Sequence, residues 1–88
     1  MKRYFIETPH TKEECLRALD EIVEYRPGFL DMLYLGCMSG EHTGWAFVEA
    51  SDETEARNML PTYLRDKARI RKVGRFTPEQ IKEFHKAA

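Results

Sequence analysis

Cys15 and Cys37 are the only two thiols in 88 residues. Neither belongs to a CxxC pair and their spacing matches no recognised metal knuckle, so the pattern prescribes neither a disulfide framework nor a zinc finger. Long apolar runs are also missing. No stretch approaches the roughly 20 residues needed to span a bilayer, and Glu7 interrupts the start of the chain before a signal-peptide core develops. A cytoplasmic protein with two reduced cysteines and no membrane partner is the expectation. Excess charge is absent too: the formal net charge is −1, which argues against a nucleic-acid partner, because nonspecific affinity for polyanions comes from neutralising phosphates with Lys and Arg. The sequence contains no nucleophile elbow, glycine-rich phosphate loop or HExxH helix, so no catalytic residue is assigned by motif.

What is present describes one small domain spanning residues 1–88. Hydrophobic residues make up 42% of the chain and charged residues 33%, the balance of a folded protein with a single core. Tyr4 to Thr8 is rich in aromatic and β-branched residues and stops at Pro9, which predicts a strand. Thr11-Lys12-Glu13-Glu14 has the form of a capping box, and the helix it opens carries Cys15, Leu16, Leu19, Ile22 and Val23 as an apolar stripe ending at Pro27-Gly28. Phe29 to Met38 and Trp45 to Ala50 read as two strands of a hairpin turning through Ser39 to Thr43. A second box, Asp52 to Glu55, opens a helix that Pro61 ends or kinks. Ala68 to Val73 reads as a fourth strand, and Thr77-Pro78-Glu79-Gln80 opens a last helix over 77–87.

Strand, helix, strand, strand, helix, strand is the ferredoxin-like βαββαβ arrangement, an α+β sandwich whose four-stranded antiparallel sheet has the order 4-1-3-2, here with a C-terminal helix added. Both crossover helices cover one sheet face. On the third strand the small residues Ala46, Val48 and Ala50 suit helix packing, which leaves Trp45, Phe47 and Glu49 on the open face with Phe5 and Glu7 from the first strand and Arg69 and Arg71 from the fourth. So aromatic a face points to a homodimer interface or a small-molecule ligand. Glu7 and Glu49, on neighbouring strands, offer two readings: a carboxylate pair for acid–base work, or rungs of a salt-bridge ladder with Arg3, Arg69 or Arg71, the commoner state of such ions.

Thr43-Gly44-Trp45-Ala46-Phe47-Val48-Glu49-Ala50 resembles the third-strand motif of RNA-recognition domains, with Phe5 where another base-stacking ring would stand; that resemblance implies single-stranded RNA binding. It departs from the pattern where Thr43 replaces a basic residue, Ala50 an aromatic one, and Glu7 places an anion on the platform. Most of the chain, from Arg3-Tyr4-Phe5-Ile6-Glu7 through Gly44 to Ala50, more closely resembles small bacterial ferredoxin-like proteins of uncharacterised function related to the dimeric α/β-barrel group. That likeness implies a homodimer through the open face with a ligand between the sheets. Some relatives are described as nickel-binding, and others are cofactor-independent isomerases or monooxygenases. The leading expectation is a non-catalytic homodimeric binding protein with no resident cofactor other than a transition metal.

A metal reading has its own basis in topology. The end of the sheet where the first and second strands finish and the third begins gathers His10, Cys37 and His42, two imidazoles and a thiol suited to zinc, nickel or copper. Each residue also has an ordinary reading. His10 precedes a helix whose positive N-terminus favours an anion, Cys37 shares strand parity with the core residues Leu33 and Leu35, and His42 lies in a turn.

Overall fold

The computed structural model describes residues 1–87. Its elements are β1 (Lys2–Pro9), α1 (Cys15–Tyr25), α2 (Pro27–Leu30), β2 (Leu33–Leu35), a 3₁₀ turn (Cys37–Ser39), β3 (Thr43–Ala50), α3 (Glu53–Arg57), α4 (Thr62–Arg65), β4 (Arg69–Val73) and α5 (Pro78–Ala87). The four strands form one antiparallel sheet in the order β2-β3-β1-β4. Counted from the β4 edge, the same neighbours read four, one, three, two. The central pair β1 and β3 run opposite each other from Lys2–Ala50 to Pro9–Thr43.

Local signals set the boundaries. Thr11 Oγ1 accepts from the Glu14 amide at 3.2 Å while Glu14 Oε1 accepts from the Thr11 amide at 2.9 Å, a reciprocal box that starts the turn leading into α1. Thr77 and Gln80 repeat it at the head of α5, at 2.8 and 3.1 Å. Asp52 caps α3 through the Glu55 amide at 2.8 Å, but Glu55 turns to the Ser51 hydroxyl instead of closing the box. Pro61, at φ −64° and ψ 154°, is extended and separates α3 from α4, as an interior proline without a donor dictates.

One sheet face is packed. Tyr4, Ile6, Ala46, Val48, Ala50 and Ile70 meet Ala18 and Ile22 of α1, Phe29 of α2, and Ala56, Leu60 and Leu64 from the segment around Pro61. Two expectations need correction. The expected apolar stripe of α1 is rotated: Ala18 and Ile22 are buried while Leu16 and Val23 face solvent, because Ala18 lets the helix approach the sheet more closely than Leu16 would. The long strand expected over Phe29 to Met38 shrinks to three residues. Pro27 at the first position of α2 nucleates a helical turn instead, and Phe29 plugs the core from it, fully buried.

α5 lies apart from this body. None of its residues is buried, and the Cα radius of gyration of 15.7 Å with a long axis of 51 Å exceeds the roughly 12 Å radius of a compact chain of this length. Among the described residues, no helix is long and apolar enough to cross a membrane.

Candidate metal centre

Four segments converge at one end of the sheet. β1 ends at Pro9 and delivers His10, whose amide donates to the His42 carbonyl at 3.0 Å, continuing the β1–β3 ladder one step past the strands. The Thr11–Glu14 box then turns the chain so that Cys15 enters as the first residue of α1, on the inward stripe that continues through Ala18 and Ile22. Lys67, just before β4, holds the Glu14 carboxylate at 3.3 Å. The Thr11 amide first, then Lys67 and the Thr11 hydroxyl, draw the Glu14 carboxyl down to about 2. That contribution to stability is complete above the ordinary carboxylate pKa of 4.5 and is lost as pH falls toward 2.

The hairpin supplies the other half. The Glu41 amide donates to the Gly36 carbonyl at 3.0 Å and the Gly36 amide to the Thr43 carbonyl at 3.1 Å, folding residues 36–43 into a tight loop around the 3₁₀ turn. Gly40 closes that turn at φ +92°, left-handed backbone that a side chain disfavours. At Gly36 a Cβ would lie 2.7 Å from the Glu41 carbonyl oxygen and 3.0 Å from the Trp45 ring, so the loop that carries Cys37 depends on having no side chain there.

His10, Cys15, Cys37 and His42 meet as a result, each with a potential ligand atom within 4.8 Å of all the others. His10 Nε2 lies 3.3 Å from Cys37 Sγ, Cys15 Sγ lies 3.2 Å from Cys37 Sγ, and the two imidazoles stand edge to face with centroids 5.8 Å apart. In a tetrahedral zinc site with bonds of about 2.3 Å to sulfur and 2.0–2.1 Å to nitrogen, neighbouring ligand atoms are about 3.3–3.8 Å apart. The cluster thus differs from that geometry by about 1 Å at its widest separation and about half an ångström between the sulfurs, within reach of side-chain rotation. All four residues are half-buried. His42 Nδ1 is buried without a hydrogen-bond partner among the described residues, a state that ordinarily costs about 1–3 kcal/mol. Burial and the adjacent Cys15 thiol push the Cys37 thiol up, so without a cation Cys37 keeps its proton at neutral pH. A shallow depression lined by Pro9, His10, Thr11, Glu14 and Lys67 opens beside His10 to solvent.

The three residues singled out by topology, His10, Cys37 and His42, are brought together, although Cys37 occupies the 3₁₀ turn and not a strand. Cys15 was missed because it fits the apolar stripe of α1. A symmetrical spacing would have found it: four residues separate His10 from Cys15, and four separate Cys37 from His42.

The open sheet face carries the other candidate residues in three rows. Glu49 lies opposite Arg3, Phe47 opposite Phe5, and Trp45 opposite Glu7; across β1 these continue to Val73, Arg71 and Arg69. Arg3 reaches Glu49 at 3.2 Å, Arg69 reaches Glu7 at 3.7 Å, and Trp45 Nε1 donates to Glu7 at 3.2 Å. Glu7 and Glu49 stand four residues apart in register, about 13 Å along the sheet. The carboxylate-pair reading therefore fails on distance, and the ladder reading describes both ions. Phe5 and Phe47 touch with centroids 5.0 Å apart, and Phe47 is 58% exposed. No family model, curated protein or solved structure matches the chain.

Proposed function

We propose that this ferredoxin-like domain is a metal-binding protein that holds one zinc ion with His10 and His42 as nitrogen ligands and Cys15 and Cys37 as thiolates. The observation carrying the reading is the convergence of four ligand-type side chains from β1, α1 and the β2–β3 hairpin within 4.8 Å. Two sulfurs and two imidazole nitrogens match the borderline softness of zinc and its tetrahedral preference, whereas nickel(II) and copper(II) favour flatter sites richer in nitrogen and oxygen. His42 supports the same reading, since a cation on its buried Nδ1 supplies the partner that atom lacks. With all four positions taken by protein there is no open coordination site for water or substrate, so the ion serves structure or metal handling and not hydrolysis. Ligation displaces the thiol protons, and affinity therefore falls as pH is lowered.

Calorimetric titration of the reduced protein with zinc and nickel at neutral pH is the test. One zinc per chain, with zinc preferred over nickel and affinity falling at least about tenfold in both His10→Ala and His42→Ala, is the expected result. Absence of binding in the parent, or binding unchanged from the parent in both variants, would remove the proposal.

A homodimer through the open sheet face is a second reading, favoured by two exposed rings on it, Phe47 against Phe5 and Tyr34 opposite Trp45, the tyrosine 78% exposed. Phe47→Glu is the cleaner probe than a change at Trp45, whose indole holds Glu7. Sedimentation at micromolar concentration is expected to show a dimer for the parent and a monomer for Phe47→Glu, with the fold retained; a parent that is monomeric throughout contradicts the reading.

A further inference from the structure

The two sulfurs of the cluster are neighbours before any cation arrives. Cys15 Sγ and Cys37 Sγ are 3.2 Å apart, on elements with different supports. Cys15 is the first residue of an eleven-residue helix, directly after the turn that the Thr11–Glu14 box closes. Cys37 sits in a three-residue turn within a loop held by backbone hydrogen bonds. A disulfide requires the sulfurs to approach to about 2.05 Å, a movement of about an ångström that the short turn can supply by side-chain rotation and a small shift of the loop. A tetrahedral metal site requires the opposite movement, to an S–S separation of about 3.8 Å. The resting geometry lies between these two ends.

We propose that Cys15 and Cys37 form an intramolecular disulfide when the protein meets hydrogen peroxide, and that this bond and the metal ion exclude one another, making the centre a redox-controlled metal site. The control rests on the metal reading above; the disulfide itself rests only on the sulfur geometry. In the metal-free protein the Cys15 sulfur attacks one peroxide oxygen. The O–O bond breaks, and the departing hydroxide takes up the thiol proton as water, leaving a sulfenic acid. The Cys37 sulfur then attacks the sulfenic sulfur, the S–O bond breaks, and a second water leaves with the Cys37 proton. Two thiols and one peroxide thus give one disulfide and two waters. From the zinc-loaded protein, two thiolates, one peroxide and two protons from solvent give the disulfide, two waters and free Zn²⁺, whose oxidation state does not change. A disulfide sulfur carries no anionic lone pair for the cation, and two imidazoles alone do not make a closed zinc site. Reduction by a thiol restores both ligands.

The experiment uses the full chain, first loaded with zinc and freed of excess, then titrated with hydrogen peroxide. A chromogenic chelator follows the released metal, while alkylation and mass spectrometry under denaturing conditions follow the cysteines. The expected result is one zinc released for each Cys15–Cys37 disulfide formed, zinc affinity lowered at least about 100-fold in the oxidised chain, and recovery of both after a thiol reductant. Zinc retained despite the disulfide, or zinc released while the cysteines become sulfinic acids or cross-link separate chains, overturns the redox control and leaves the metal reading standing. A parent that never loads zinc yet forms the disulfide overturns the metal reading, and the control with it, while upholding the sulfur geometry.

Discussion

Cys37→Ser is expected to weaken zinc binding by at least about 100-fold, since changes to groups merely supporting a metal ligand already cost 10–100-fold. Cys37 is the hub of the cluster, in contact with both Cys15 Sγ and His10 Nε2. A serine hydroxyl keeps the volume but remains protonated at neutral pH and offers a hard oxygen where the ion prefers thiolate. The neighbouring Met38→Ser is the control, because Met38 projects wholly into solvent from the same turn. Competition against a chelating dye should separate the two variants, with Met38→Ser indistinguishable from the parent. Equal affinities for Cys37→Ser and the parent would show that the ion, if bound, sits elsewhere.

Phe29→Ala should be the most destabilising single change in the chain. The ring is fully buried at the centre of the core, and removing such a side chain costs about 3–5 kcal/mol through lost transfer energy and the cavity left behind. Domains of this size have about 4–13 kcal/mol in total, so the variant should melt about 12 °C or more below the parent. Leu30→Ala, one residue along the same short helix but partly exposed, should cost far less. Thermal unfolding by circular dichroism checks both, and similar losses would mean that α2 does not seat Phe29 in the core as described.

Phe29 also marks where sequence reasoning ran out. An apolar run such as Phe29 to Met38 has no periodicity that separates a strand from a helical turn followed by a short strand, and only the packing of Phe29 against the sheet decides it. Signals confined to a few residues were legible, by contrast. The Thr11–Glu14 and Thr77–Gln80 boxes, the break at Pro61 and the alternation of β1 and β3 all depend on neighbours in sequence, and each has the geometry its residues dictate. The rotation of α1 was not legible, because Leu16 and Ala18 both suit an apolar stripe and the choice is made by how closely the helix approaches the sheet. The site divides in the same way. Topology places His10, Cys37 and His42 at one sheet end, whereas the inclusion of Cys15 depends on the turn angle between β1 and α1, which the capping box sets in three dimensions. On the open face, alternation identified which residues share it, but the rows come from register, which shows that Glu7 and Glu49 are too far apart to work as a pair.

X-ray absorption at the zinc edge, on protein loaded with one equivalent of zinc, reads the ligand set of the bound ion. The expected spectrum is that of a four-coordinate shell of two sulfurs at about 2.3 Å and two imidazole nitrogens at about 2.0–2.1 Å, losing one sulfur in Cys15→Ser. A shell of oxygens alone, or one unchanged by Cys15→Ser, would contradict the proposed site.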